Sequence, residues 1–456
     1  MTHRLDPSIL REYDVRGPVG DRLGLGDAYA VGRSFATRVR RVNGRSVAVG
    51  RDGRLSSPDL EAALVRGLSE GGVDVVRVGL GPTPMLYYAE ATLGVDGGVQ
   101  VTGSHNPVHH NGFKLKLRHQ SFFGPDILDL ARLAAAGDWT SGSGSVGEAE
   151  ICDAYVDRLL VHHRGRPFRV AWDAGNGAAG PVVERLATRL PGEHRLLHTR
   201  IDGRFPNHHP DPSVEANLAD LRRAVLEYGL DCGFAFDGDG DRIGAVDGRG
   251  RAVRADLLLA ILAEPVLRDR PGATVIADVK SSAALFDRVE ALGGRPLMWK
   301  SGHSSIKSKM LDEDAPVAGE LSGHIFFAHR WYGFDDAQYA AVRLLEVMAE
   351  TGRPLAELVD ALPRYVSTPE LRFPVDPIRR LRIVDEVIDR LKSQGAEVDL
   401  VDGARVTTPD GWWLLRASNT EALLTVRAEA RDDAALTRLM AQVDAELAAS
   451  GVTRPD

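Results

Sequence analysis

Residues 46–68 read SVAVGRDGRLSSPDLEAALVRGL: an apolar, β-branched run, a polar turn, then a helical pattern. The same layout returns at 168–190, FRVAWDAGNGAAGPVVERLATRL, and at 273–293, ATVIADVKSSAALFDRVEALG. After each predicted helix comes a second strand pattern: VDVVRVGL from Val73, HRLLHTRI from His194 and RPLMWKSG from Arg295. A third short strand then runs into a polar loop, in GVQVTGSHNP, CGFAFDGDGDR and APVAGELSGH. Strands alternating with helices predict mixed or parallel sheets with crossover helices, and three copies predict three similar α/β domains. Ligands gather where loops leave the carboxyl ends of strands in open sheets, so three equivalent loops are expected to face one shared cleft.

From about residue 367 the pattern changes. RLRIVDEVIDRL places Leu381, Val384, Ile388 and Leu391 at helical spacing, and strands punctuated by Asp402-Gly403 and Pro409-Asp410-Gly411 follow. The expectation is a smaller α+β domain, helices on an antiparallel sheet. The predicted domains are 1–149, 150–250, 251–364 and 365–456.

Hydrophobic residues at 43% and charged residues at 26% are ordinary for a globular chain, and no apolar run approaches the roughly 18 residues of a membrane helix. The start, MTHRLDPSILREYD, has no apolar core of a secretory signal, and Cys152 and Cys232 make no disulfide framework, so a cytoplasmic setting is expected. A net charge of −8 argues against a nucleic-acid surface and leaves small anions to local basic pockets.

FDGDGDRIG sets Asp237, Asp239 and Asp241 on alternate positions with glycines between, oxygen ligands crowded closely enough for a hard divalent cation. An EF-hand fails on spacing: counted from Asp237, Arg242 stands where its glycine is needed and Gly248 where its bidentate Glu is needed. In GELSGH, Glu320, Ser322 and His324 alternate, so from an extended segment a carboxylate and a hydroxyl could together grip a sugar diol. WWLLRASNTEALLTVRAEA supplies Arg416, Ser418, Asn419, Thr420 and Arg427, donors suited to phosphate; a helix-capping box at Ser418 or Asn419 is the structural rival. Ser104 lies outside any Gly-x-Ser-x-Gly elbow, and the adjacent His105 is poorly placed to take its proton. His208 and His209, flanked by prolines, read as a surface or interdomain loop rather than as metal ligands.

With these residues in view, the chain resembles the α-D-phosphohexomutase superfamily, most closely its bacterial phosphomannomutase/phosphoglucomutase branch. The resemblance rests on EYDVRG, TGSHNP with NGFK behind it, DAGNG, FPNHHPDP, DGDGDR, DVKSS, SGHSSIK, GELSGH with FFAHRWYGFDDA, and RASNTE, spread over nearly the whole chain. It implies four domains around a central cleft. It implies that Ser104 is carried phosphorylated, and that Mg²⁺ is held by a phosphate oxygen on Ser104 together with Asp237, Asp239 and Asp241. Arg242 adds positive charge beside them, and Lys114, with Arg16 and His324, matches the family's proton-handling position. Glu320 and Ser322 match the sugar clamp; Arg416, Ser418, Asn419, Thr420 and Arg427 match the phosphate site. Tyr13, Lys280 and His303 match further ligand contacts, and His105 a group that steadies the serine loop.

The implied reaction moves a phosphoryl group between C1 and C6 of a hexose phosphate, mannose and also glucose. It runs through a hexose 1,6-bisphosphate, with glucose 1,6-bisphosphate as activator. Small sugar phosphates are the implied partners, with no nucleic acid or membrane, in a monomer or weak dimer. Two positions depart from the family pattern: Ala422 replaces the usual proline after RASNTE, and His110 stands where a tyrosine is often found. A phosphoglucosamine mutase is the alternative within the superfamily; Leu321 between the clamp residues, where the hexose enzymes usually have the similar Met, favours the hexose reading. Outside it stand a metal-dependent sugar phosphatase, with water as the attacking group, and a non-catalytic sugar-phosphate binder.

Overall fold

The computed structural model describes residues 2–376, 379–417 and 423–454. The repeat in the sequence is a repeat in topology. In the first sheet, strand Ser46–Arg51 lies between Asp74–Leu80 and Gly97–Val101, parallel to both, and His110–Leu117 runs antiparallel beside Gly97–Val101. The second sheet repeats this with Phe168–Asp173 between Gly192–Leu197 and Cys232–Phe236, and Ile243–Asp247 antiparallel beyond. The third does so with Thr274–Asp278 between Arg295–Trp299 and Val317–Gly319, then Ile325–Phe327 antiparallel. Each polar loop joins the last parallel strand to its antiparallel neighbour, at the carboxyl end, where the sheet's hydrogen-bond ladder opens.

The fourth sheet is antiparallel throughout, in the order Val366–Ser367, Leu423–Ala430, Gly411–Ala417, Ala404–Thr408, Glu397–Asp399, with Leu371–Pro374 also on Leu423–Ala430. Helices Arg379–Ser393 and Asp433–Ala449 cover it, the latter capped by the Asp432 carboxylate, which accepts from the Ala435 amide. Of the four apolar positions expected on Arg379–Ser393, Val384 and Leu391 are buried and Ile388 packs, partly buried, against the same core, while Leu381 is 61% exposed; Ile383 and Val387 complete the buried face. The helical period fixes the stripe but not its edges, which the sheet underneath selects.

One apolar cluster runs through the first three domains, beside a core that the first domain keeps under its own sheet. Leu86 and Tyr87 of helix Thr83–Thr92, Trp172 and Phe234 of the second sheet, Leu259 of helix Ala255–Asp269 and Leu344 of helix Ala337–Thr351 belong to one continuous buried cluster. Helix Thr83–Thr92 is buried from Thr83 to Glu90, so it acts as a wedge between domains rather than as a surface helix. The fourth domain has a core of its own. No described helix is long and apolar enough to cross a membrane.

Candidate active site

Ser104 is 1% exposed and adopts a left-handed backbone with φ 47°, costing a non-glycine residue about 1 kcal/mol or more. What holds it there is Arg54, whose side chain is buried in the crook of the loop. One terminal nitrogen donates to the carbonyls of Pro107, Val108 and His110 at 2.6, 3.3 and 3.0 Å, and the other to those of Ser104 and Asn106 at 2.7 and 2.6 Å. A planar cation with several donors is the group that can gather five carbonyls from one turn. The Ser104 amide is tied to Thr102 Oγ1 at 2.8 Å. The kink also overturns the expectation for His105: it folds the imidazole back until Nδ1 lies 3.1 Å from Ser104 Oγ. Burial, with Arg242 and Arg16 nearby, holds that ring well below the usual histidine range, so it is neutral.

Ser104 Oγ donates to Asp237 Oδ2 at 2.7 Å, joining the first polar loop to the second. The backbones meet as well: a Cβ on Gly238 would lie 2.4 Å from the Ser104 carbonyl oxygen, so a side chain there would part the loops. Asp237, Asp239 and Asp241 are fully buried, with one carboxylate oxygen from each within 4.8 Å of the others. Asp239 Oδ1 and Asp241 Oδ1 have no hydrogen-bond partner. Burial and the neighbouring carboxylates push Asp237 far above the usual carboxylate range. Burial also opposes charge on Asp239, but Lys114 outweighs it and holds that carboxyl low. Three crowded oxygens, two of them orphaned, fit a hard divalent cation.

Lys114 Nζ donates to Asp239 Oδ2 at 2.7 Å and also to Asp241. Although burial disfavours its charge, these carboxylates raise it above the usual ammonium range, so the lysine keeps its proton here. Arg16 donates to Asn106 Oδ1 at 2.8 Å and the Gly103 carbonyl at 3.3 Å, and pairs with Asp14. Arg242 Nε donates to His324 Nε2 at 3.0 Å, joining the second loop to the third, and His324 Nδ1 lies 2.8 Å from Asp335 Oδ2.

The third loop departs from the expected geometry. Residues 320–324 form a tight turn, with Gly323 N donating to Glu320 O at 3.1 Å and Glu320 N to His324 O at 2.9 Å, rather than an extended segment. The glycine permits a reversal that alternation alone did not reveal. Glu320 is 5% exposed; its Oε1 accepts from Gly302 N at 2.7 Å, and burial raises its carboxyl above the usual range. Ser322 is half-buried beside it.

Around Ser301 and Gly302 three domains touch. Tyr13 OH donates to the Ser301 carbonyl at 2.7 Å and its ring packs against His303, 5.7 Å between centroids. Gly302 has φ 131°, and a Cβ there would lie 2.2 Å from Tyr13 Cζ, so only glycine lets the first domain close on the third. Ser301 N donates to Asp402 of the fourth domain at 3.0 Å, and Arg416 pairs with that same carboxylate at 3.0 Å. Arg427 donates to the Lys280 carbonyl at 2.5 Å, and Lys280 Nζ lies 3.5 Å from Glu370. Ser418, Asn419, Thr420 and Ala422 lie outside the described residues.

Sequence reasoning missed Arg54 and Thr83. Arg54 sits in the turn of the first repeat, and nothing in its spacing says that it reaches a loop fifty residues on. Thr83 Oγ1 donates to Asp239 Oδ2 at 2.6 Å, and its amide to the Asp239 carbonyl at 2.8 Å. Its sequence signal, the prolines of GPTP at a helix start, spoke only of structure.

A buried serine bonded to one member of a three-carboxylate cluster, with cations supplied by four domains, defines a phosphoryl-transfer site of the kind that handles sugar phosphates. Family models for phosphoglucomutase/phosphomannomutase match residues 7–134 (alpha/beta/alpha domain I), 153–250 (domain II), 254–365 (domain III) and 370–446 (the C-terminal domain). A phosphomannomutase/phosphoglucomutase of Pseudomonas syringae is 42% identical over 446 residues, 97% of this chain and 96% of that protein. A phosphoglucomutase of Neisseria gonorrhoeae is 42% identical, covering 94% and 95%. The crystal structure of a phosphoglucomutase/phosphomannomutase family protein from Burkholderia thailandensis superposes with TM-score 0.94 at 44% identity, covering 99% of this chain and 100% of that one. The chain belongs to the phosphoglucomutase/phosphomannomutase family. It is therefore a phosphohexomutase, an isomerase that moves a phosphoryl group within a sugar phosphate.

Proposed function

We propose that the chain interconverts the 1- and 6-phosphates of mannose and of glucose, with Ser104 as the phosphoryl carrier and Mg²⁺ on Asp237, Asp239 and Asp241. The contact between Ser104 Oγ and Asp237 Oδ2 at 2.7 Å carries the reading, because it sets a hydroxyl at the edge of a carboxylate cluster that has orphaned oxygens. Bound there, Mg²⁺ would supply positive charge to the phosphoryl oxygens. The phosphoryl group passes from Ser104 to the free sugar hydroxyl: the serine Oγ–P bond breaks, the sugar O–P bond forms, and the hydroxyl proton leaves. The hexose 1,6-bisphosphate then returns its other phosphate to Ser104.

Lys114 is the proton acceptor in this reading; Asp239 and Asp241 hold its proton, and a divalent cation on those carboxylates would weaken that hold. Arg242 and Arg16 line the same cleft with charge, and His324, bridged between Arg242 and Asp335, is oriented to assist. The sugar rests on Glu320 and Ser322, with Tyr13, His303 and Lys280 around it. Its distal phosphate meets Arg416, Ser418, Asn419, Thr420 and Arg427. A clamp on O3 and O4 does not read C2, where mannose and glucose differ, which supports action on both; the Pseudomonas relative is named for both sugars, and the Neisseria relative for glucose.

The test is a coupled assay with mannose 1-phosphate, glucose 1-phosphate and glucosamine 1-phosphate, with Mg²⁺ and catalytic glucose 1,6-bisphosphate, wild type beside Ser104→Ala, with free phosphate monitored. Turnover of both hexoses, little free phosphate and loss of turnover in Ser104→Ala are expected. Accumulating phosphate would identify a phosphatase, and turnover of the amino sugar alone would refute the hexose assignment.

A further inference from the structure

We propose that Asp173, His198 and His208 form a second cation site, independent of the aspartate cluster and suited to Zn²⁺ or a similar borderline ion. One donor atom from each lies within 4.8 Å of the others. Asp173 ends strand Phe168–Asp173 of the second sheet and is fully buried; the side chains of His198 and His208 are 18% and 14% exposed. His208 Nδ1 lies 3.0 Å from the carbonyl oxygen of His209, which can only accept, so Nδ1 carries a proton. In the neutral ring the lone pair is then on Nε2, and Nε2 points at Asp173 Oδ2, 3.0 Å away. His198 Nε2 lies 2.9 Å from Asp220 Oδ2, which leaves the lone pair of the neutral ring on Nδ1. The second Asp173 oxygen accepts from Gly175 N at 2.9 Å.

Asp173 and His208 are thus oriented by a hydrogen bond on the polar atom that does not face the other, and the His198 ring is anchored by Asp220, the support that metal-binding imidazoles and carboxylates require. A donor separation of 3.0 Å also suits one edge of a coordination shell whose bonds are about 2.0–2.2 Å long. Two imidazoles with one carboxylate select a borderline transition ion over Mg²⁺, which prefers oxygen alone. An imidazolium of His208 paired with Asp173 would explain those two residues. It does not explain why His198 is turned toward them, its ring 5.3 Å from that of His208. His198 holds a left-handed backbone, φ 50°, pinned by the Asn176 amide on its carbonyl at 2.8 Å. Beside the site, Asn176, His198, Arg200 and Asp202 line a cavity of about 480 Å³ that reaches the cluster at His198.

The prolines around His208 had suggested an ordinary connecting loop. In place, that loop packs against two polar loops of the second domain: Pro210 sits where Cβ atoms on Gly175, beside Asp173, and on Gly238, in the aspartate loop, would lie 3.2 and 3.4 Å from it. An ion on His208 would brace this contact from behind.

The test is titration of the full-length, chelator-washed protein with Zn²⁺ by calorimetry, and with Co²⁺ by visible absorption, both under saturating Mg²⁺ to fill the aspartate cluster. One ion per chain that Mg²⁺ does not displace is expected. It should be lost in His208→Gln, weakened at least about tenfold in His198→Gln, and kept in His209→Gln. Absence of a Mg²⁺-resistant ion in the wild type, or retention of the ion by His208→Gln and His198→Gln alike, would overturn the site and leave the mutase reading untouched.

Discussion

Lys114 occupies the carboxylates that a divalent cation needs, so removing it should tighten metal binding while destroying turnover. At 2.7 Å from Asp239 Oδ2, the attraction is about 6 kcal/mol at an effective dielectric constant near 20. Desolvating a buried ammonium offsets several kcal/mol of that, leaving about 1.5–3 kcal/mol net. A cation entering the site must overcome this before it gains anything. Lys114→Met should therefore bind Mg²⁺ about ten- to a hundredfold more tightly than wild type, by calorimetry at constant pH and ionic strength. Lys114→Arg, which keeps a competing cation, should stay near wild type. Turnover of Lys114→Met should collapse even with the metal site full. Equal or weaker Mg²⁺ affinity in a folded Lys114→Met protein would refute the competition and the derived role of Lys114.

Two further outcomes follow from buried groups. Arg54→Met removes the donor of five loop carbonyls and the partner of Asp52, 3.3 Å from its Nε, and should lower unfolding free energy by about 3–5 kcal/mol in urea. Arg54→Lys, with three donors instead of a fork, should recover only part of the stability and should still release free phosphate from the phosphoserine form faster than wild type. Burial pushes the Asp336 carboxyl up to about 7 from 3.8, so the folded chain binds a proton there that the unfolded chain has lost. This contribution is full below about pH 4 and fades as pH rises through about 7, with a slope of up to about 1.4 kcal/mol per pH unit. Asp336→Asn keeps the helix cap on Tyr339 N and should flatten that slope in urea midpoints measured across the window.

Much of the site's chemistry was legible because it is local. Three aspartates on alternate residues after a strand predict a carboxylate cluster, which the structure forms, and three copies of strand, turn and helix predict three sheets of one topology. The turn at 320–324 and the exposed place of Leu381 at the edge of the stripe on helix Arg379–Ser393 were not legible, because one-dimensional spacing permits more than one conformation or face edge and packing chooses between them. The neutral His105 beside Ser104 was missed because its placement depends on a single left-handed residue.

What the sequence by itself determined is the inventory: which side chains carry charge, hydroxyl and metal affinity, and which short loops hold them. The tertiary structure alone decided which of these meet. Arg54 holds the serine loop, Thr83 caps an aspartate from another domain, Lys114 pairs with Asp239 and Asp241, and His198 faces His208 across two loops. Such contacts join residues far apart in the chain, and burial then sets the protonation of each group through neighbours that no local pattern contains.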